Sequence, residues 1–224
     1  MTADIRPPKA WLYFALAFVG GYGDAAGVVL AKTFTGHVTG SLVLAAIATA
    51  AHKWSALVAR FSAVLFFLVG VILSVLIERA LAARQYFNSL LPVLSIEVIL
   101  TMIAYLAFAS RAAARVEVFV VCMSLALGMQ NGAFQRNGGI SVHTTYLTGM
   151  ITSLMTSEAI KPHFMGARDP NRRLLYGIWL AFFVGGAIGA AMALRFKGVG
   201  ILGVTFLLLI ILISRIRERG LLTT

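Results

Sequence analysis

The run WLYFALAFVGGYGDAAGVVLA, residues 11–31, decides the fold. Its only charge is Asp24. At about 1.5 Å per residue it reaches about 30 Å, the thickness of a bilayer's hydrocarbon core. A carboxylate inside such a run is costly and marks a functional-site candidate by default. The polar surroundings of Asp24 also occur twice. Gly-Tyr-Gly-Asp (21–24) is followed, across Lys32, by Thr35-Gly36-His37-Val38-Thr39-Gly40. Gly-Met-Gln-Asn (128–131) is followed, across Arg136, by Thr144-Thr145-Tyr146-Leu147-Thr148-Gly149. A repeated polar motif of this kind points to two related halves facing one site, as small transporters are often built.

The whole chain agrees with that start. Of 224 residues, 60% are hydrophobic and 12% charged, and the mean hydropathy is +0.91. A soluble domain of this size has no interior large enough for so much apolar surface, so the bilayer is part of its solvent. Eight apolar segments run over about 11–31, 38–51, 61–77, 90–109, 118–134, 146–157, 174–194 and 199–213. The first, fourth and seventh are long enough to span, and the third and fifth nearly so. The second and sixth reach only about 20 Å and read as half-helices, re-entrant segments or short spans. The expected fold is an all-α polytopic membrane protein of about six full spans plus two short segments, or eight spans if the short ones cross. Two internal repeats, 1–110 and 111–224, are expected to form one transmembrane domain. Phe66-Phe67-Leu68-Val69-Gly70 matching Phe182-Phe183-Val184-Gly185-Gly186 supports that division.

The net charge of +11 sits between apolar runs and not along a polar stripe, so it reads as topology information and not as a nucleic-acid surface. With eight spans, Lys and Arg divide 13 against 6 in favour of the side holding both termini. With six spans they divide 12 against 7 in favour of the same side. Both termini are expected in the cytoplasm under either count. Three spans per half would invert the repeats, whereas four would make them parallel. The lone Cys122 excludes a disulfide framework and a thiolate metal cluster. Arg6 and Lys9 before the first run resemble a signal peptide's start, but that run is too long for a signal core, so a retained span is expected.

Candidate solute- or ion-binding residues follow from polarity inside apolar segments. Asp24 and Glu97 are acids well inside them, and each must be protonated, paired or facing a watery cavity. Reversible protonation suits a proton-coupled carrier, whereas a fixed charge suits Na⁺ or an organic cation; a packing role is the competing reading. Gln130 and Asn131 stand where the first half has Gly23 and Asp24, able to orient a solute or to tie helices together. Thr35, Thr39, Gly40, Thr144, Thr145, Thr148 and Gly149 flank the short segments, where free N–H groups at a helix start can receive a ligand or can simply be capped. Tyr22 and His37 complete the candidate set, His37 as a possible proton relay. Gly23-x-x-x-Gly27, Gly128-x-x-x-Gly132 and Gly185-x-x-x-Gly189 permit close helix contact. No HExxH, CxxC or acidic cluster accompanies the histidines, so no metal or cofactor is expected.

Gly21-Tyr22-Gly23-Asp24-Ala25, Phe34 to Ser41, Gln130-Asn131 and Thr144 to Gly149 resemble, over nearly the whole length, the YoaK-like family of bacterial integral membrane proteins, a domain of unknown function. That family usually has Thr-Gly-Asn where this chain has Thr39-Gly40-Ser41. The resemblance implies about six spans and a bacterial inner-membrane location, and names no substrate. The expected function is a small secondary transporter or channel-like carrier for a small solute or ion, H⁺- or Na⁺-coupled and working as a homodimer. The alternative is a membrane scaffold or partner subunit that transports nothing. Without a nucleophile–base pair or phosphate loop, an enzyme is not expected.

Overall fold

A computed structural model describes residues 10–83, 90–111, 113–133, 136–137, 140–141, 149, 151–152, 155 and 170–220. Among them are seven α-helices: α1 (Ala10–Ala31), α2 (Val38–Ala50), α3 (Trp54–Ala83), α4 (Leu90–Ala109), α5 (Arg115–Ala133), α6 (Pro170–Phe196) and α7 (Ile201–Gly220). A 3₁₀ turn, Lys197–Gly200, joins the last two, and Arg136–Asn137 pairs antiparallel with Ile140–Ser141. Five stretches are long and apolar enough to cross a membrane: α1, α4, α5, Trp54–Leu81 of α3, and Arg172–Glu218, which covers most of α6 and α7. Segments 38–51 and 90–109 match α2 and α4 closely, whereas α3 and α6 extend beyond their apolar cores at both ends. Most of segment 146–157 lies outside the described residues.

The helices end by a shared device. Lys32, His52, Arg111 and Lys197 follow α1, α2, α4 and α6 with φ of 56°, 53°, 53° and 49°, the left-handed cap usually given to glycine. A Lys or Arg at such a position is favoured by the negative end of the helix dipole. Lys32 Nζ also donates to Val29 O at 3.3 Å. At the other end, α6 opens on Pro170, where no intrahelical N–H is needed.

Apolar residues cover the outside as well as the inside. Leu65, Leu68, Ile72 and Leu76 of α3, Phe183 and Ile188 of α6, and Phe206 and Ile210 of α7 are all exposed. Such faces are stable against acyl chains and not against water. The enclosed helices are α1 and α5, with 56% and 67% of their apolar windows buried against 28% to 33% in the other three stretches. Leu12, Leu16, Phe119, Met123, Ile178 and Leu208 are central to the core.

Backbone-to-backbone contacts set the helix directions. A Cβ on Gly21 would strike Phe182 O, and one on Gly185 would strike Phe18 O, so α1 and α6 touch directly. Phe14 meets Gly177 and Tyr22 meets Gly189, so these two helices run parallel. Gly128 lies against Phe67 O and Gly70 against Leu125 O, while Gly132 meets Val71 and Ser74, so α3 and α5 are likewise parallel. Between the pairs, Gly23 faces Met123, and Gln130 Nε2 donates to Leu16 O at 3.0 Å, so α1 and α5 are antiparallel. The expected role of the spaced glycines is thus observed, except that Gly27 meets Thr33 and Thr35 of its own connecting segment.

The helix α2 is short, 13 residues, and packs by one face only, with Ser41, Ala45 and Ala48 buried. The tight turn 51–53 folds it antiparallel onto α3, where Arg60 Nη1 donates to Leu44 O at 2.9 Å. Because α3 runs opposite to α1, α2 runs in the same sense as α1. Residues 32–37 must therefore travel back along α1 before α2 begins.

Candidate functional site

That backward segment is held by Asp24. The backbone N–H groups of Thr35 and Gly36 donate to Asp24 Oδ1 at 2.8 and 2.6 Å, and His37 Nδ1 bonds to Asp24 Oδ2. Thr35 Oγ1 donates to Gly23 O at 3.2 Å, and Thr33 O packs against Gly27. Ser41 Oγ donates to Phe34 O at 2.8 Å, closing the loop from the α2 side. Asp24 lies seven residues, about 10 Å, before the end of α1, so the segment re-enters the bundle by that depth. A buried carboxylate needs donors, and the segment's unpaired N–H groups need an acceptor, so each satisfies the other.

His37 stands at the entrance to α2 but makes no side-chain cap, because its ring is turned to Asp24. Phe34 and Phe182 flank it at ring-centroid distances of 5.7 and 5.9 Å. The hydrogen bond to Asp24 raises the imidazole above its ordinary pKa; burial opposes this and the carboxylate's charge adds to it. With the carboxylate accepting, Nδ1 carries a proton and Nε2 is the nitrogen that titrates.

The pair lies at a cavity of about 500 Å³. Gly21, Asp24 and Ala25 of α1 and Phe34 and His37 of the re-entering segment form one side. Trp179, Phe182, Phe183, Gly186 and Ala187 of α6 form the other. Trp179 and Phe183 stack at 6.5 Å on the outer rim. The α6 residues are not among the sequence candidates; Phe182, Phe183 and Gly186 carry a signal only through the repeat comparison.

The remaining candidates divide. Asp24, Thr35 and His37 come together, although Thr35 meets Asp24 through its backbone N–H and turns its hydroxyl to Gly23 O, not to a cap of α2. Thr39 lies exposed in the first turn of α2, and Gly40 packs on Phe34. Tyr22 does not line the cavity; its hydroxyl donates to Gly200 O at 2.6 Å and ties α1 to the 3₁₀ turn. Glu97 is buried in α4, apart from the Asp24 cavity, and its Oε1 finds no hydrogen-bond partner among the described residues. Gln130 and Asn131 are buried in α5, with Gln130 bridging to α1. Gly149 has helical backbone, whereas Thr144, Thr145 and Thr148 lie outside the described residues. Among the described residues no group of three metal-ligating side chains is present.

The family model described as a protein of unknown function, DUF1275, matches residues 12–214. The chain belongs to the DUF1275 family. A similar relative is the UPF0700 transmembrane protein YoaK of Bacillus subtilis (strain 168), 26% identical over 182 residues and covering 80% of each chain. No solved structure matches. With a transmembrane relative and five apolar spanning stretches, this DUF1275 member is a multi-pass membrane protein.

Proposed function

We propose that the chain is a small secondary transporter or channel-like carrier of the bacterial inner membrane, moving a small solute with proton coupling. The observation that carries this reading is the re-entrant segment whose N–H groups close on Asp24 beside an open cavity, with His37 as a titratable partner. Half-helices with re-entering backbone are tolerated at membrane depth where they border a cavity or protein. Proton coupling is favoured over Na⁺ because both carboxylate oxygens of Asp24 already accept bonds. A metal ion would have to displace a backbone N–H or the imidazole.

The same reading takes segments 38–51 and 146–157 as not crossing, which leaves six crossings by α1, α3, α4, α5, α6 and α7. Lys and Arg then divide 12 against 7, favouring cytoplasmic termini. Six crossings make two inverted repeats, and the helix contacts support them. Gly128 and Leu125 follow Gly21 and Phe18 by 107 residues, while Phe182 and Gly185 follow Phe67 and Gly70 by 115. The two tightest backbone approaches in α1–α6 thus have counterparts in α3–α5, and the register differs by one residue from the Phe66–Phe182 match. The antiparallel α1–α5 contact maps onto itself: Gly23 with Met123, and Gln130 with Leu16. A homodimer would supply the enclosing surface that so few helices lack, and no catalytic role is proposed.

The test is reconstitution of the full chain in liposomes. Solute-driven proton uptake in the native protein, lost in Asp24→Asn with insertion intact, is expected. The competing scaffold reading draws on the same saturated carboxylate, read as a lock. It predicts no flux for any solute and a stoichiometric protein partner instead.

A further inference from the structure

The groups that the Asp24 cavity offers a ligand narrow its substrate class; this rests on the transporter reading above. Asp24 is 4% exposed, with Thr35 N, Gly36 N and His37 Nδ1 on its two oxygens, so it presents little to a cation. His37 lines the cavity with its ring partly exposed, and Nδ1 is its bonded nitrogen. The other nitrogen, Nε2, has no protein partner among the described residues and is the titratable hydrogen-bonding atom left for a ligand, beside the neutral indole N–H of Trp179. Every other wall is aromatic or small: Phe34, Trp179, Phe182 and Phe183 with Gly21 and Gly186. Trp179 and Phe183, 46% and 66% exposed, form a stacked rim on an apolar outer face, which favours a molecule that partitions into the bilayer. A volume of about 500 Å³ lies within the range of sites for small organic ligands.

We propose that this cavity binds a lipophilic monocarboxylic acid as its anion together with one proton, the proton held on His37 Nε2 and the ring or chain of the acid lying on Phe182 and Phe183. The step is a proton transfer only. The acid's O–H bond breaks, the Nε2–H bond forms, and the resulting carboxylate accepts a charge-assisted hydrogen bond from the imidazolium. Asp24 fixes the tautomer and balances the imidazolium, so the site takes up the neutral acid without a net change in charge. The titratable and charged groups bearing on His37 are few. Asp24 comes from α1, and Lys32 from the connecting segment has its ammonium on Val29 O. α2 carries no ionisable side chain, and none of the α6 residues lining the cavity is ionisable.

The probe is 1-naphthoate, with 1-naphthylmethylamine and 1-naphthylmethanol as cationic and neutral controls of the same ring. Calorimetric titration of the full chain in zwitterionic phospholipid nanodiscs, against empty nanodiscs, reads site binding apart from partitioning. Naphthoate is expected to bind about ten-fold or more tightly at about pH 6 than at about pH 8.5, since only the imidazolium donates from Nε2. His37→Gln should lose about ten-fold in affinity and the pH dependence with it. Ala187→Trp, which fills the cavity from α6 without touching the pair, should abolish binding and covers the case of a misfolded His37 variant. Preference for the amine, equal binding of all three probes, absence of any binding, or an Ala187→Trp variant that binds naphthoate as the native protein does would overturn the acid as substrate class. Those outcomes leave the transporter reading to the proton-flux experiment, which fails independently if no solute moves protons.

Discussion

Asp24→Ala should release the re-entering segment without unfolding the bundle. The substitution leaves the N–H groups of Thr35 and Gly36 buried without an acceptor and His37 without its partner. Each orphaned buried donor costs about 1–3 kcal/mol, and a hydrogen bond to a charged group contributes about 1.5–3 kcal/mol. Allowing for partial rescue by water at the cavity, a local loss of about 3 kcal/mol follows, or roughly a hundred-fold rise in the open population. The α1–α6 contact at Gly21 and Gly185 does not involve the carboxylate, so the helices should stay packed. Thr33 is fully buried in the closed segment and reports on opening. Thr33→Cys in a Cys122→Ala background should react slowly with a small polar thiol reagent, and about two orders of magnitude faster once Asp24→Ala is added. Asp24→Asn should fall between, because an amide oxygen still accepts from Thr35 and Gly36 but its NH₂ group opposes a protonated His37 Nδ1. Equal labelling rates with and without Asp24→Ala would refute the claim that this carboxylate holds the segment in place.

The same cysteine should show a pH dependence. His37 has a raised folded-state pKa, so its stabilising share is complete below the unfolded value and is lost as pH rises through the folded one; labelling should accelerate across that window, and His37→Gln should remove the acceleration. His52→Gly should stabilise the protein by about 1 kcal/mol in thermal unfolding, because glycine carries no Cβ penalty at φ 53°. Gly128→Val should cost roughly 1–3 kcal/mol or more by the same measurement, since its side chain would strike Phe67 O, a backbone atom that cannot turn aside. Cysteines at positions 52 and 113 should be reached by an impermeant reagent from outside the cell; a cysteine at position 52 reached only from the cytoplasm would mean that α2 crosses.

Much of the fold is legible in the sequence because bilayer-crossing helices announce themselves by length and polarity. α1 and α4 match their apolar runs to within a residue, whereas α3 and α6 run on past theirs, since hydropathy fades where a helix enters water but its backbone bonds continue. Asp24 and His37 are both conspicuous, one as a charge in a span and the other as a loop histidine, yet no spacing rule pairs residues 13 apart across a chain reversal. The pairing depends on α2 running in the same sense as α1, a tertiary fact with no local signature. Tyr22, two residues before Asp24, illustrates the opposite failure. Residues two apart on a helix point about 200° round from one another, to nearly opposite sides, so Tyr22 faces a different partner, Gly200 O.

The two halves in the proposed reading share packing but not polarity. Gly21 and Gly128 occupy the same place against a parallel helix, and counting on by three residues from each reaches Asp24 in one half and Asn131 in the other. An aspartate can trade a proton with His37, whereas an amide can only orient hydrogen bonds. If inverted repeats exchange shapes during transport, the charge-handling step therefore belongs to the α1 half alone, and the α5 half serves as a passive counterpart. Asn131→Asp tests this directly. A second acid on the antiparallel helix should change the pH profile of proton-coupled flux while leaving the Thr33→Cys reporter on the α1 side at its native labelling rate. A flux profile unchanged by Asn131→Asp, in a variant that inserts and stays folded, would place Asn131 among the packing residues and end the functional equivalence of the two halves at their glycines.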